Sequence, residues 1–355
     1  MHSAGRRGRL SARRESIRAV MDMASIFIQI RKNAYVPMRA FFVTISLTLL
    51  LYSLKWIPPV GADGWFMESL ITEKGFPMYY RSILTVWIHK AFYIFLHPFG
   101  VSGWNALAAS SSLAGAIALQ ALWAMRRSWL FLVVNVFCGS FLVFVGHVEN
   151  YAWVNAFLLL AFWAAQRWLE GEGRAWPVGV FFALACLSHM LAIFYIPAMA
   201  YLFWRKRDYD PLEILIPLLA FIGLTIGLTL AFPMLGTDNG LERLVPLFHK
   251  TPNHHRFLFF DGAHFKMLAS FHQRAAFLGI PIELPLLFLL RKGINSLYLR
   301  FLFVCVLCGL GWTTIWHPDW GGNDWDLFSQ FAIPLHVLLG FLLTNLWKKR
   351  SKDEY

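Results

Sequence analysis

Three short segments of the sequence hold carboxylates and histidines of the kinds used in acid–base catalysis. The first is Gly61-Ala62-Asp63-Gly64, in which Asp63 stands between small residues. A carboxylate can act as a general base, and glycine lets a ligand come close to the backbone. Because Asp-Gly is also a common turn pair, a solvated turn is the alternative interpretation.

The second segment, Gly146-His147-Val148-Glu149-Asn150-Tyr151, lies between two long apolar runs. If those runs cross a membrane, a glutamate at its surface is costly unless it is paired or hydrated, so its presence indicates a function. Glu149 is therefore a candidate catalytic residue. The alternative is a polar hairpin in which Asn150 caps the following helix.

The third segment, residues 317–326, contains three carboxylates and two tryptophans. An indole face can cover the C–H face of a sugar ring, while carboxylates accept hydrogen bonds from its hydroxyls. The residues expected to bind a sugar or an acceptor are His317, Asp319, Asp324, Trp325 and Asp326. The same acids could hold a divalent cation, although their spacing is not that of a calcium loop. Helix capping by Asp324 or Asp326 is the alternative.

The elements that carry these segments are strongly apolar. Of the 355 residues, 58% are hydrophobic and only 15% are charged, which exceeds what a soluble domain needs for its core. Runs such as 40–54, 128–146 and 211–235 are about long enough to cross roughly 30 Å of hydrocarbon. The four cysteines fall inside such runs, so neither an external disulfide framework nor a zinc knuckle is expected.

The net charge of +12 resides mostly in short clusters at the borders of the apolar runs. That distribution is typical of membrane orientation and not of nucleic-acid binding. Because such clusters are expected in the cytoplasm, an even number of crossings must separate each pair, which predicts an all-α polytopic bundle of about ten spans. The predicted spans are 40–56, 104–124, 128–146, 151–168, two within 176–204, 211–235, 265–290, 298–316 and 327–347.

An even number of crossings between the basic clusters requires that one apolar run does not cross the membrane and that another crosses it twice. The helix 82–96 carries a polar stripe and is expected to lie in the outer interface instead of crossing. The run 176–204 is expected to be two helices, broken near Ser188 and His189. The chain then divides into a basic cytoplasmic arm (1–38), a membrane domain (39–347) and a short cytoplasmic tail (348–355).

This topology places all three segments on the external face of the plasma (inner) membrane. It also places there a cationic segment from Arg243 to Arg274, against the usual charge bias. A phosphate or pyrophosphate headgroup would explain these cations, and attraction to anionic lipid is the alternative. The residues expected to bind a lipid phosphate are Lys250, His254, His255, Arg256, His264 and His272.

The layout resembles the GT-C superfamily of membrane glycosyltransferases, which use polyprenyl-phosphate-linked sugars. The resemblance rests on Asp63 in the first external loop, the interfacial helix after it, the span 102–127 ending in two arginines, the split at 187–189, and the long external loop after Phe232. Segments 146–151 and 324–328 also resemble motifs of bacterial members. The resemblance implies that Asp63 is the catalytic base, although the chain lacks the adjacent pair of acids found in better-known branches.

The segments and the resemblance together predict a glycosyltransferase that moves a sugar from a polyprenyl-phosphate carrier to an acceptor hydroxyl, with inversion. The identity of the acceptor is not specified by the sequence. A transporter or flippase for a lipid-linked or anionic solute is the alternative, and it would spread polar residues through the spans. A non-enzymatic partner in an envelope-polymer assembly is a third possibility.

Overall fold

The computed structural model describes residues 39–57, 64–75, 77, 79, 81–207, 210, 212–213, 244–250, 257–276, 278–316 and 326–353. The predicted arm 1–38 and nearly all of the predicted span 211–235 lie outside these residues. The chain forms two compact units, Met1–Ser46 and Leu47–Tyr355. Within the first unit the described residues are the start of a helix, and everything below concerns the second.

The described residues are almost entirely helical. The helices are α1 (Arg39–Ser53), α2 (Gly64–Thr72), α3 (Ile83–Leu96), α4 (Gly103–Met125), α5 (Trp129–Val136), α6 (Tyr151–Leu169), α7 (Trp176–Ser188), α8 (Ile196–Lys206), α9 (Gly262–Ala275), α10 (Ile280–Leu290), α11 (Leu297–Ile315) and α12 (Ser329–Asp353). Short 3-10 turns cover Gly139–Phe144 and Met190–Tyr195. Extended backbone pairs only in an isolated bridge between Leu244 and Trp316 within this part of the chain, so the all-α class is confirmed.

Three of these helices are long and apolar enough to cross a membrane, namely α4, α11 and the Ser329–Lys349 part of α12. Helices α1 and α7 and the segment Ile83–Phe99 are apolar but shorter. An uninterrupted apolar helix of about 20 residues is the usual transmembrane element, so these helices support an integral membrane protein. The larger number of spans that charge bias indicates stays a prediction.

Two runs that were expected to be single spans are interrupted in the structure. Helix α5 ends at Val136 and the 3-10 turn from Gly139 follows, where Gly139 lies against the backbone carbonyl of Arg274 with no room for a side chain. Helix α9 ends at Ala275, and the next helix begins only after Gly279, whose φ is 84°. Glycine adopts that left-handed conformation without strain. The expectation of continuous helices over 128–146 and 265–290 is therefore wrong.

The predicted break in the run 176–204 is confirmed. Helix α7 ends at Ser188, and His189 has extended backbone with φ −160° and ψ 130°. The hydroxyl of Thr85 donates to the Ser188 carbonyl at 2.9 Å, and the Met190 amide donates to the Arg81 carbonyl at 2.8 Å. Contacts from outside the helix thus satisfy polar backbone groups at the break, as a buried helix end requires.

The parallel pairing of α4 and α6 fixes which ends of the bundle lie together. Near their N-terminal ends, the Trp153 indole donates to the Ser110 hydroxyl at 3.0 Å. Near their C-terminal ends, the Gln166 amide donates to the Met125 carbonyl at 3.2 Å. Small residues on α4, among them the fully buried Ala114, allow close approach of the kind common between membrane helices. The loops that precede α4 and α6 consequently share one end of the bundle.

Candidate active site

A buried contact between His147 and Asp326 forms the centre of the candidate site. The Nε2 atom of His147 lies 2.8 Å from Oδ2 of Asp326, and their relative exposures are 2% and 3%. His147 lies just before α6 and Asp326 just before α12, so the fold joins residues 179 positions apart. A contact of this length is typical of a charge-assisted hydrogen bond. His147 was not among the residues singled out from the sequence.

Glu149 completes a cluster with this pair. The metal-ligand atoms of His147, Glu149 and Asp326 all lie within 4.8 Å of one another, and all three residues are buried. Elsewhere in the residues that the structure describes, no other group of three histidine, cysteine, aspartate or glutamate side chains comes this close. Buried charges are tolerated mainly when they are paired or coordinate a metal. The structure therefore brings together two of the predicted site residues, Glu149 and Asp326.

Gly146 and Lys55 position the segment that carries His147 and Glu149. Gly146 has φ 67°, and a Cβ atom on it would lie 2.5 Å from Cβ of Lys55. Both observations favour glycine at this position. The Lys55 ammonium donates to Oδ1 of Asn105 at 2.6 Å. The segment 146–150 is thus held between the end of α1 and the start of α4.

Helix α3 supports the cluster through its polar stripe. Nε2 of His89 lies 3.2 Å from the Glu149 carbonyl oxygen, and Nδ1 lies 2.8 Å from the Ser110 hydroxyl. Because a carbonyl only accepts, Nε2 must carry the proton in the first contact. Ser82, Thr85 and His89 are fully buried, so this part of the predicted stripe faces the protein interior. The interfacial position of the helix itself stays a prediction.

The break between α7 and α8 lies beside the same segment. The ring centroid of His189 is 5.2 Å from that of Tyr151, the first residue of α6. The half-buried Arg81 is close enough to His189 to interact with it electrostatically. Arg81 was not predicted as a site residue. A cation on the predicted external side is unusual, and this signal could have identified it.

Asn150 does not have the capping role that the alternative interpretation gave it. It occupies the N-cap position of α6, but its side chain makes no capping hydrogen bond. It is 1% exposed, and its Oδ1 atom has no hydrogen-bond partner among the described residues. A buried acceptor without a partner costs about 1–3 kcal/mol. The simple polar-hairpin interpretation does not account for this arrangement.

Several predicted site residues lie outside the described residues. They are Asp63, His317, Asp319, Asp324, Trp325, His254, His255 and Arg256. The neighbour of Asp63 is described, and a Cβ atom on Gly64 would lie 3.0 Å from the Val148 carbonyl oxygen. The chain that follows the first loop therefore contacts the segment between His147 and Glu149.

The described residues of the cationic segment have internal contacts. The Lys250 ammonium lies 3.1 Å from Oδ2 of Asp261. Hydrogen bonding from the Leu258 amide and the Lys250 ammonium holds the pKa of the Asp261 carboxyl below its usual range. Nδ1 of His264 lies 2.7 Å from the Phe259 carbonyl oxygen. Asp261 thus partly neutralises the positive charge of the segment at Lys250.

His272 also lies in an internal environment. Its ring centroid is 4.4 Å from that of Phe331 and 5.9 Å from that of Phe328. It is 5% exposed, and Nδ1 has no hydrogen-bond partner within the described part of the chain. The structure therefore places this histidine between aromatic rings at the start of α12 and in the turn before it.

The cluster of His147, Glu149 and Asp326 has the donor set of a transition-metal site. Imidazole nitrogen and carboxylate oxygen are both zinc ligands, and three is the number of protein ligands that catalytic zinc sites keep beside one open position. Manganese accepts the same donors, whereas calcium requires six to eight oxygens. The three side chains thus fit a Zn²⁺ or Mn²⁺ ion.

Comparison with known proteins gives a match in fold. No protein-family model and no curated protein matches the sequence. The crystal structure of ArnT from Cupriavidus metallidurans bound to undecaprenyl phosphate matches with a TM-score of 0.55 at 14% identity, covering 86% of this chain and 60% of that chain. The apo structure of the same protein matches with a TM-score of 0.55 at 13% identity, covering 88% and 62%.

This chain therefore spans less than two thirds of the length of the ArnT chains. At such low identity, the likeness concerns the fold alone. The likeness to ArnT therefore supports the predicted resemblance at the level of the fold and no further. Function has to be argued from the site.

Proposed function

We propose that the protein is a membrane glycosyltransferase that moves a sugar from a polyprenyl-phosphate carrier to an acceptor hydroxyl on the external face of the plasma membrane. The observation that carries this proposal is the buried convergence of His147, Glu149 and Asp326 at one end of a GT-C-like bundle. The carrier class is supported by the ArnT structure, which is bound to undecaprenyl phosphate. The sugar and the acceptor are left open.

Asp63 is proposed as the base. It takes the proton of the acceptor hydroxyl, and the acceptor oxygen bonds to the anomeric carbon on the face opposite the lipid phosphate. The bond from the anomeric carbon to the phosphate oxygen breaks, and its electron pair leaves with the phosphate. A single displacement inverts the anomer. The contact of Gly64, the next residue along the chain, with the Val148 carbonyl supports this role, because Val148 stands between His147 and Glu149.

Glu149 and Asp326 are proposed to position the reacting groups. Glu149 accepts a hydrogen bond from a sugar or acceptor hydroxyl, while Asp326 orients the His147 ring through the 2.8 Å contact. Residues His317, Asp319, Asp324 and Trp325 of the same loop as Asp326 cover and bind the sugar. If a divalent ion is held by His147, Glu149 and Asp326, it adds positive charge that stabilises negative charge developing on the leaving phosphate.

Cations are proposed to stabilise the leaving phosphate. Arg81 is the described cation beside the His189 break. The segment 243–274 supplies the other candidates, Lys250, His254, His255, Arg256, His264 and His272, of which His264 and His272 are buried. Arginine and lysine pair strongly with phosphate in a partly dry setting.

The proposal is tested by incubating the purified protein with a panel of polyprenyl-phosphate-linked sugars and identifying products by mass spectrometry. We expect one class of sugar to be transferred, and Asp63→Asn to abolish transfer while membrane expression is unchanged. Unchanged turnover by Asp63→Asn would rule out its role as the base. Robust transfer by the purified chain alone would argue against a non-enzymatic assembly partner.

A transporter or flippase remains the second candidate, because one observation favours it. Glu283 on α10 and His336 on α12 form a buried contact of 3.4 Å within segments that were predicted to cross the membrane. Ionisable residues inside a membrane often mark a transport pathway. Movement of a lipid-linked sugar across a proteoliposome bilayer, lost in Glu283→Gln and without chemical change of the sugar, would support this candidate.

A further inference from the structure

A cavity of about 400 Å³ lies at the opposite end of the bundle from the His147 cluster. Helix α4 runs from the cluster end to the cavity over 23 residues, a distance of about 34 Å at the usual helical rise. The cavity forms where α4, α6 and α8 end and where α11 begins. Its polar lining includes Arg126, Gln166, Lys206, Ser296 and Asn345.

Arg126 is held in a fixed orientation in the wall of this cavity. Its Nη2 atom donates to Oδ1 of Asn345 at 2.8 Å, and its guanidinium carbon lies 5.8 Å from the centroid of the Phe341 ring. Its Nε atom is buried and has no hydrogen-bond partner among the described residues. A guanidinium has five donors and is always charged, so this arrangement leaves donors for an anion.

Two further features make the cavity electropositive. Lys206, the last residue of α8, is half-buried and adds a second positive charge. Helix α11 begins at the cavity, and Ser296 caps only its Leu299 amide, so other first-turn amides contribute partial positive charge. The lining acid, Glu170, is exposed and accepts a hydrogen bond from Gln166 at 2.8 Å.

Helix dipoles alone account for only part of this arrangement. A cation is favoured at a helix C-terminus, which explains the residue types at Arg126 and Lys206. It does not explain why α4 and α8 deliver those cations to a common cavity. An anion that binds between the helix ends accounts for this convergence.

We propose that this cavity binds the phosphate of an anionic phospholipid headgroup. The two cations, the helix N-terminus and the amide of Asn345 match phosphate oxygens. The apolar part of the lining, Leu169, Leu297 and Phe341, suits the glycerol and the upper acyl chains of a lipid. Basic pockets between transmembrane helices are suited to such headgroups. The inference holds whether or not the chain transfers a sugar.

The test measures the thermal unfolding midpoint of delipidated protein in detergent with three additions. These are dioleoyl phosphatidylglycerol, dioleoyl phosphatidylcholine at the same mole fraction, and inorganic phosphate at constant ionic strength. We expect phosphatidylglycerol to raise the midpoint of the wild type by several degrees, and phosphatidylcholine to raise it much less. The variant Arg126→Gln/Lys206→Gln should lose most of the phosphatidylglycerol shift.

A matched control is Arg127→Gln/Arg205→Gln, which removes two exposed cations next to the cavity residues and should keep the full shift. If inorganic phosphate reproduces the shift in the wild type and fails in the cavity variant, the site binds free phosphate. Equal shifts in the wild type and the cavity variant, or equal shifts from both lipids, would overturn the proposal. If the double variant does not fold, Lys206→Gln alone should show a reduced shift, and an unreduced one would overturn it.

Discussion

Two buried histidine–carboxylate contacts in this protein differ in how they are built. His147 and Asp326 are 2.8 Å apart and lie on segments that precede helices, with Glu149 as a third ionisable neighbour. His336 and Glu283 are 3.4 Å apart and lie within the helices α12 and α10. The first contact is therefore carried by backbone outside regular helices, and the second by two packed helices.

The surroundings of the second contact favour a structural role over the transport pathway that was considered as the second candidate function. Nδ1 of His336 lies 3.4 Å from the Ser140 hydroxyl, and Oε1 of Glu283 accepts from the Leu278 amide at 2.8 Å. Both ionisable residues are 1% exposed. These contacts join α10, α12 and the 3-10 turn at Ser140. A buried histidine–carboxylate contact therefore does not by itself identify a functional site. The convergence of three ionisable side chains from segments that precede helices is the stronger indication.

Among changes at these two contacts, the largest effect is expected from Glu149→Gln. This change keeps the shape of the side chain but removes its charge, so transfer from a lipid-linked sugar should fall roughly 1,000-fold, within the range for acid–base and positioning groups. The measurement is the initial rate of product formation per folded molecule. The matched control is Glu283→Gln, whose rate should stay near that of the wild type. Equal losses in the two variants would remove the distinction between the contacts.

Asp326→Asn should have a smaller effect on the same rate. Asparagine keeps a hydrogen bond to His147 but no longer stabilises the ring as an ion, and the loss of such an orienting partner typically costs about 10- to 100-fold. The loss should appear mainly in kcat, because the substrate contacts of Glu149 are kept. A change confined to KM would show instead that Asp326 contacts the substrate directly.

Metal binding should also distinguish the His147 cluster from the Glu283–His336 contact. Mn²⁺ or Zn²⁺ should stabilise the wild type, by about 2.7 kcal/mol when the free ion exceeds its Kd 100-fold, and this should appear as a higher midpoint of thermal unfolding. Glu149→Gln should abolish the shift and Glu283→Gln should retain it. A shift retained in Glu149→Gln would place the ion elsewhere.

Changes at the Glu283–His336 contact should lower stability and leave transfer unchanged. Removing one partner of a buried hydrogen bond costs about 1–3 kcal/mol, so Glu283→Gln and His336→Gln should lower the midpoint of thermal unfolding at a fixed scan rate. Transfer by the fraction that remains folded should be unchanged. A variant with normal stability and no transfer would move the Glu283–His336 contact into the functional site.

The smallest effect is expected at the Lys250–Asp261 pair, where both side chains are well exposed to solvent. Because the pKa of Asp261 is lowered on folding, its stabilising effect is present above the unfolded pKa and is lost as the pH falls through the folded value. Hydrogen exchange of residues 257–264, corrected for intrinsic rates, should lose protection below about pH 4. Asp261→Asn should show no such dependence, and constant protection in the wild type would contradict the assignment.

Part of the fold and part of the candidate site could be predicted from the sequence. Glu149 and Asp326 could be predicted because a carboxylate beside an apolar run is costly unless it has a partner. The break at His189 could be predicted because the run was too long for one span. The interruptions at Gly139 and Gly279 could not, since they depend on a backbone contact and a left-handed turn that hydropathy does not report.

Two residues in or near the cluster, His147 and Arg81, were not predicted because hydropathy and local spacing do not report contacts across the fold. His147 and Arg81 acquire their importance from partners far away in sequence, as in the 179-residue separation of His147 and Asp326. His89 was recognised as part of a polar stripe, but its contact with the Glu149 carbonyl depends on how α3 packs. Spacing within one segment indicates a helix face, whereas the partner across the fold comes only from the tertiary structure.

The central claim is that the chain performs chemistry on a lipid-linked sugar instead of moving it. The most direct measurement uses proteoliposomes that contain the purified protein, a polyprenyl-phosphate-linked sugar and an acceptor alcohol, with mass spectrometry of all products over time. We expect glycosylated acceptor and free polyprenyl phosphate to appear in equal amounts, and neither to appear with Glu149→Gln. Redistribution of intact lipid-linked sugar between the leaflets, with no product formed, would contradict it.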